Sequence, residues 1–88
     1  MIEREATIVN QEGLHARPAA RMVRLASEFD SEIEIAKDGF GVNGKSIMGV
    51  MMLAAECGSS IVIRALGSDA EAAIEALAGL VASRFGEE

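Results

Sequence analysis

Eighty-eight residues, half of them hydrophobic and a quarter charged, suit one small domain over 1–88 with a single core. A net charge of −6 and a pI near 4.7 make nucleic acid and anionic membranes poor partners. One cysteine, Cys57, excludes an internal disulfide and a cysteine-built metal cage, and apolar runs such as residues 50–55 fall far short of the ~18 residues of a membrane span.

Residues 6–9 are short, apolar and β-branched, and predict a first strand that ends in the turn Asn10-Gln11-Glu12-Gly13. From Ala16 to about Phe29, apolar residues recur at Met22, Leu25, Ala26 and Phe29, the spacing of one helix face. Glu32-Ile33-Glu34-Ile35 alternates as a half-exposed strand does, and Asp38-Gly39 supplies a hairpin turn into a return strand carrying Phe40 and Val42. Residues 46–53 predict a helix of about two turns capped by Ser46, with Ile47, Val50 and Leu53 inward. Ile61-Val62-Ile63 is a strong strand. Ser68-Asp69-Ala70-Glu71 reads as a capping box before a last helix with Ala73, Ile74, Leu77 and Val81 inward, and Glu87-Glu88 as a frayed tail. The order βαββαβα predicts an α+β open-faced β-sandwich: a four-stranded antiparallel sheet with three helices on one face.

The single histidine stands in Gly13-Leu14-His15-Ala16-Arg17-Pro18-Ala19-Ala20, just ahead of the first helix. A helix start offers unpaired N–H groups and partial positive charge, so it is an anion site. A neutral imidazole is a nucleophile, Arg17 can bind a dianionic phosphate through charge-assisted bonds, and Pro18 loses nothing by lacking an N–H in the first turn. Arg17 and Arg21 oppose the helix dipole where acidic residues are preferred. That arrangement in an acidic chain implies an anion arriving from outside. The plainer alternative is a surface histidine among solvated arginines.

The octapeptide resembles the active-site signature of the histidine-containing phosphocarrier family HPr of the bacterial phosphoenolpyruvate-dependent sugar phosphotransferase system, and the resemblance extends over essentially the whole chain. It implies that His15 accepts a phosphoryl group from phospho-enzyme I, at Nδ1, and passes it to the IIA domain of a sugar permease. Arg17 then stabilises the phosphate, and Ala16 and Pro18 form the helix start. Lys45-Ser46-Ile47-Met48-Gly49-Val50-Met51 is similar to the segment in which HPr kinase/phosphorylase phosphorylates a serine, which implies regulatory modification of Ser46 and a transcriptional regulator among the partners. Ala54 departs from the glycine many family members carry there. Met48, Met51 and Met52, with Ile47, Arg21 and Arg24, are candidates for a partner-docking surface, because exposed methionine adapts to several partners.

The resemblance leaves two rivals. One is a carrier of a nitrogen-related or regulatory branch. The other is a non-catalytic binding module acting through Ser46, whose family examples lack the acceptor histidine. No metal or cofactor is expected, and a monomer is. Glu3, Arg4 and Glu5 after Met1-Ile2 do not make a basic-plus-apolar leader, so a cytoplasmic location is expected.

Overall fold

The computed structural model describes residues 1–87. Its strands are β1 (Ile2–Thr7), β2 (Glu32–Lys37), β3 (Phe40–Asn43) and β4 (Ser60–Leu66), and its helices are α1 (Ala16–Ala26), α2 (Ile47–Met52) and α3 (Ala70–Ala82). The strands make one antiparallel sheet in the order β1-β4-β2-β3, and the helices supply the cover, as the element order predicts. A 3-10 turn, Arg84–Gly86, follows α3.

Alternation along the strands decides which face is covered. In β4, Ile61, Ile63 and Ala65 are buried while Val62 and Arg64 take the other face, and Ile33 and Ile35 of β2 join the buried set. Met22, Val23 and Ala26 of α1, Val50 of α2, and Ile74, Leu77 and Val81 of α3 close over them. Large aromatics are nearly absent from this core; the exception is Phe85, fully buried in the terminal turn. On the uncovered face Arg64 donates to Glu34 Oε1 at 2.8 Å and to Glu3 Oε1 at 2.7 Å, its register partners on either side.

Several boundaries differ from expectation. The first strand is Ile2–Thr7 rather than 6–9. It is an edge strand, mostly exposed, so pairing with β4 sets it and its charged residues give no apolar signal. Ile8 lies past the ladder but is fully buried, its N–H donating to the Ser59 carbonyl. Helix α1 stops at Ala26, short of Phe29, because Glu28 and Phe29 donate to carbonyls three residues back and tighten the last turn. The expected inward Ile47 is 45% exposed: in a six-residue helix only Val50 is buried, with Leu53 at the C-cap. Lys45 Nζ donates to the Phe29 carbonyl at 2.7 Å, tying the start of α2 to the end of α1.

The capping box does not form. Asp69 occupies the N-cap of α3, but its carboxylate accepts from the amides of Asp30 and Ser31 and from the Ser31 hydroxyl, across the α1–β2 connection. Ser31 is buried, and these three donors outcompete a local cap. The Ser31 hydroxyl, then the Asp30 amide, holds the Asp69 carboxyl below the ordinary carboxylate range. A lowered folded value adds stability above the unfolded carboxylate range and loses it as pH falls through the folded value. Asp69→Asn is therefore expected to lower the thermal midpoint at pH 7, with variant and wild type converging as pH drops below about 4. Equal midpoints at pH 7 would refute this role.

Candidate functional site

The site begins with a loop that the backbone pins in place. Gly13 has φ +72°, and a Cβ there would come within 2.4 Å of the Ala55 carbonyl oxygen. The next residue, Leu14, is buried and donates its N–H to that same oxygen at 2.8 Å. From the other side Asn10, 2% exposed, donates Nδ2 to the Gly13 carbonyl at 2.8 Å. The chain that enters His15 is thus held at both edges.

His15 is the N-cap of α1, in extended backbone conformation, and its carbonyl accepts from the Ala19 amide at 2.9 Å. Its side chain caps nothing. No acidic residue lies in the first turn of α1, so the helix itself supplies neither a side-chain cap nor a carboxylate to its own start. Pro18 and Ala19 are buried there and anchor the first turn against the core, while Ala16 and Arg17 are exposed.

An open cleft of about 790 Å³ lies over this helix start and brings together His15, Ala16, Arg17 and Arg21 with Asn10, Glu12, Arg84 and Glu87. Arg17 faces the cleft with no ion pair or hydrogen bond to another described residue. Arg21 is half-buried and donates to the Phe85 carbonyl, so the terminal turn is tied to α1. That turn carries Arg84 and Phe85 at φ +61° and +56°. Two successive left-handed non-glycine residues cost a few kcal/mol, about 1–3 each. Burial of the Phe85 ring offsets that cost and turns Arg84 and Glu87 toward the histidine.

Arg84, Glu87, Glu12 and Asn10 are site neighbours that the sequence reading did not single out. Glu87 is not frayed: it takes a hydrogen bond from Asn10 Nδ2 at 3.3 Å and stands 3.5 Å from His15 Nε2. Glu88 lies outside the described residues. The one available signal was Phe85-Gly86, a bulky apolar residue and a glycine directly after a helix, which marks an anchored turn rather than a loose end.

The second segment lies beside, not within, the cleft. Ser46 is the N-cap of α2, and its half-buried Oγ accepts from the Gly49 amide at 3.1 Å. Met48 is 75% exposed and Met51, Met52 and Ile47 are exposed with it, forming an apolar surface on the outer side of α2. Arg24 is exposed on α1, away from the cleft lining.

A family model for the phosphorylation site of the PTS HPr component matches residues 2–83. The chain belongs to the HPr family. The HPr phosphocarrier of Cupriavidus necator is 47% identical over 87 residues, 99% of this chain and 98% of that protein. The crystal structure of HPr from Thermoanaerobacter tengcongensis superposes with a TM-score of 0.96 at 50% identity, covering 100% of this chain and 99% of that one. HPr from Bacillus anthracis superposes at 0.88, also 50% identical, over 91% and 95% of the two chains. As an HPr, the chain is a phosphocarrier of the phosphotransferase system. Among the described residues no helix is long and apolar enough to cross a membrane.

The close approach at Gly13 is directly testable in this chain. Gly13→Ala must either strain a left-handed alanine or push back the Ala55 carbonyl, and a loss on the order of 2 kcal/mol is expected from the strained backbone. Chemical denaturation measures it; an unchanged midpoint would show that the loop is not pinned there.

Proposed function

We propose that His15 accepts a phosphoryl group from phospho-enzyme I and delivers it to IIA domains of sugar permeases. The observation that carries this reading is the cleft over the start of α1, where the imidazole has an Arg17 guanidinium free of other described partners beside it. Backbone N–H groups at the helix start and Arg17 favour an incoming phosphate, and Arg84 adds positive charge from the terminal turn. His15 Nε2 has no exposed surface although the side chain is 38% exposed. This burial agrees with Nδ1 as the acceptor, the nitrogen that the family resemblance implies. Arg17 stabilises the bound group, and the helix start at Ala16 and Pro18 presents it. In-line transfer between positioned nucleophiles then asks for little further catalysis from the carrier. In this reading the carrier acts as a monomer in the cytoplasm.

The exposed Ile47, Met48, Met51 and Met52, with Arg24 on the neighbouring helix, supply a docking surface suited to partners of different shape. Arg21 contributes to docking through the turn it holds. Ser46 is the regulatory residue, phosphorylated by HPr kinase/phosphorylase. A phosphate at the N-cap of α2 is tolerated by the helix end, and its charge repels acidic partner surfaces and recruits a transcriptional regulator.

Incubation with phosphoenolpyruvate and enzyme I, followed by intact mass measurement, tests the relay. Wild type should gain one acid-labile, alkali-stable phosphoryl group, and His15→Ala none; equal labelling of the two would sink the assignment. With ATP and HPr kinase/phosphorylase, wild type should be labelled and Ser46→Ala should not. An unlabelled wild type would remove the regulatory role.

A further inference from the structure

The nitrogen of His15 that does not face the solvent has two carboxylates beside it. Glu12 Oε1 is 3.3 Å from Nε2 and Glu87 Oε2 is 3.5 Å away, while Nε2 itself is fully buried and makes no aligned hydrogen bond. Neither acid is there by chance of a loose side chain alone. Glu12 belongs to the turn pinned through Asn10 and Gly13, and Glu87 gives its other oxygen to Asn10 Nδ2 at 3.3 Å. Asn10 is buried, so it orients Glu87 as Glu87 meets the imidazole. The cleft also holds Arg17, Arg21 and Arg84, so the two acids do not leave the site net negative.

We propose that Glu12 and Glu87 are positioning residues that keep His15 in its Nε2–H tautomer, so that Nδ1 carries the lone pair that attacks phosphorus. An imidazole next to carboxylate oxygens places its proton on the nitrogen that faces them, and the other nitrogen is left unprotonated. When the Nδ1 lone pair forms the N–P bond, the bond from phosphorus to the donor breaks and its electron pair leaves with the donor. The ring keeps its Nε2 proton and becomes a cation. That charge develops between Glu12 and Glu87, which offset it in the transition state and in the phosphorylated carrier. On delivery the charge disappears, the N–P bond breaks toward the acceptor, and the Nε2–H tautomer is restored without an external proton.

This deepens the phosphocarrier reading and rests on it for the transfer step, whereas the tautomer is a property of the unmodified protein. Long-range proton–nitrogen correlation spectra of ¹⁵N-histidine protein should therefore find His15 in the Nε2–H form in wild type. In the double variant Glu12→Ala/Glu87→Ala the Nδ1–H form should appear, and the initial rate of labelling by phosphoenolpyruvate and enzyme I should fall about 10-fold. Labelling at completion should still reach one phosphoryl per chain, and Glu12→Asp should recover part of the rate. A tautomer population unchanged in the double variant overturns the proposal, as does a rate loss without a tautomer shift. A wild type that takes no phosphoryl group overturns the carrier reading instead, and the spectra still decide the tautomer clamp.

Discussion

One backbone hydrogen bond organises the site: the Leu14 amide donating to the Ala55 carbonyl just after α2. It couples the histidine loop to the exit of the second helix, and it works only because Gly13 lets the two backbones approach. With Leu14 buried beneath, His15 is left in extended conformation at the helix start, its side chain unable to serve as an ordinary cap. The same exit segment carries Ala54 at φ +50°. The departure from glycine at this position is thus a left-handed alanine, a strain of about 1–2 kcal/mol by general sterics. The core absorbs that strain through Leu53 and Ala55, both buried, on either side of it.

The arrangement resolves an apparent conflict in the electrostatics. A chain of net charge −6 gathers three arginines around one cleft, yet two glutamates enter the same cleft. The two signs have different neighbours. Arg17 is open to the cleft, Arg21 is tied to the Phe85 carbonyl, and Glu12 and Glu87 stand at the buried nitrogen.

Much of this was legible in the sequence. Elements with strong periodicity appeared where expected: the alternating β2 and β4, the hairpin at Asp38-Gly39, and α3 with Ala73, Ile74, Leu77 and Val81 inward. The octapeptide around His15 pointed to the start of α1, where the structure has its arginine-lined cleft. Misplaced features share a physical cause, in that their partners are distant in the chain. Strand β1 is set by β4 rather than by its own charged residues. Asp69 reads as a local cap but serves the backbone at Asp30 and Ser31. Glu87 reads as solvent-loving until Asn10 and the Phe85 anchor are known. Local pattern cannot register such contacts, because each side chain has an acceptable local alternative.

The terminal turn makes the surroundings of His15 depend on distant parts of the chain. Arg84 and Glu87 line the same cleft as the histidine although every later element of the fold lies between them and it in sequence. The cleft therefore exists only once the sheet and all three helices have closed, and its formation reports the folding of the whole domain rather than of α1 alone.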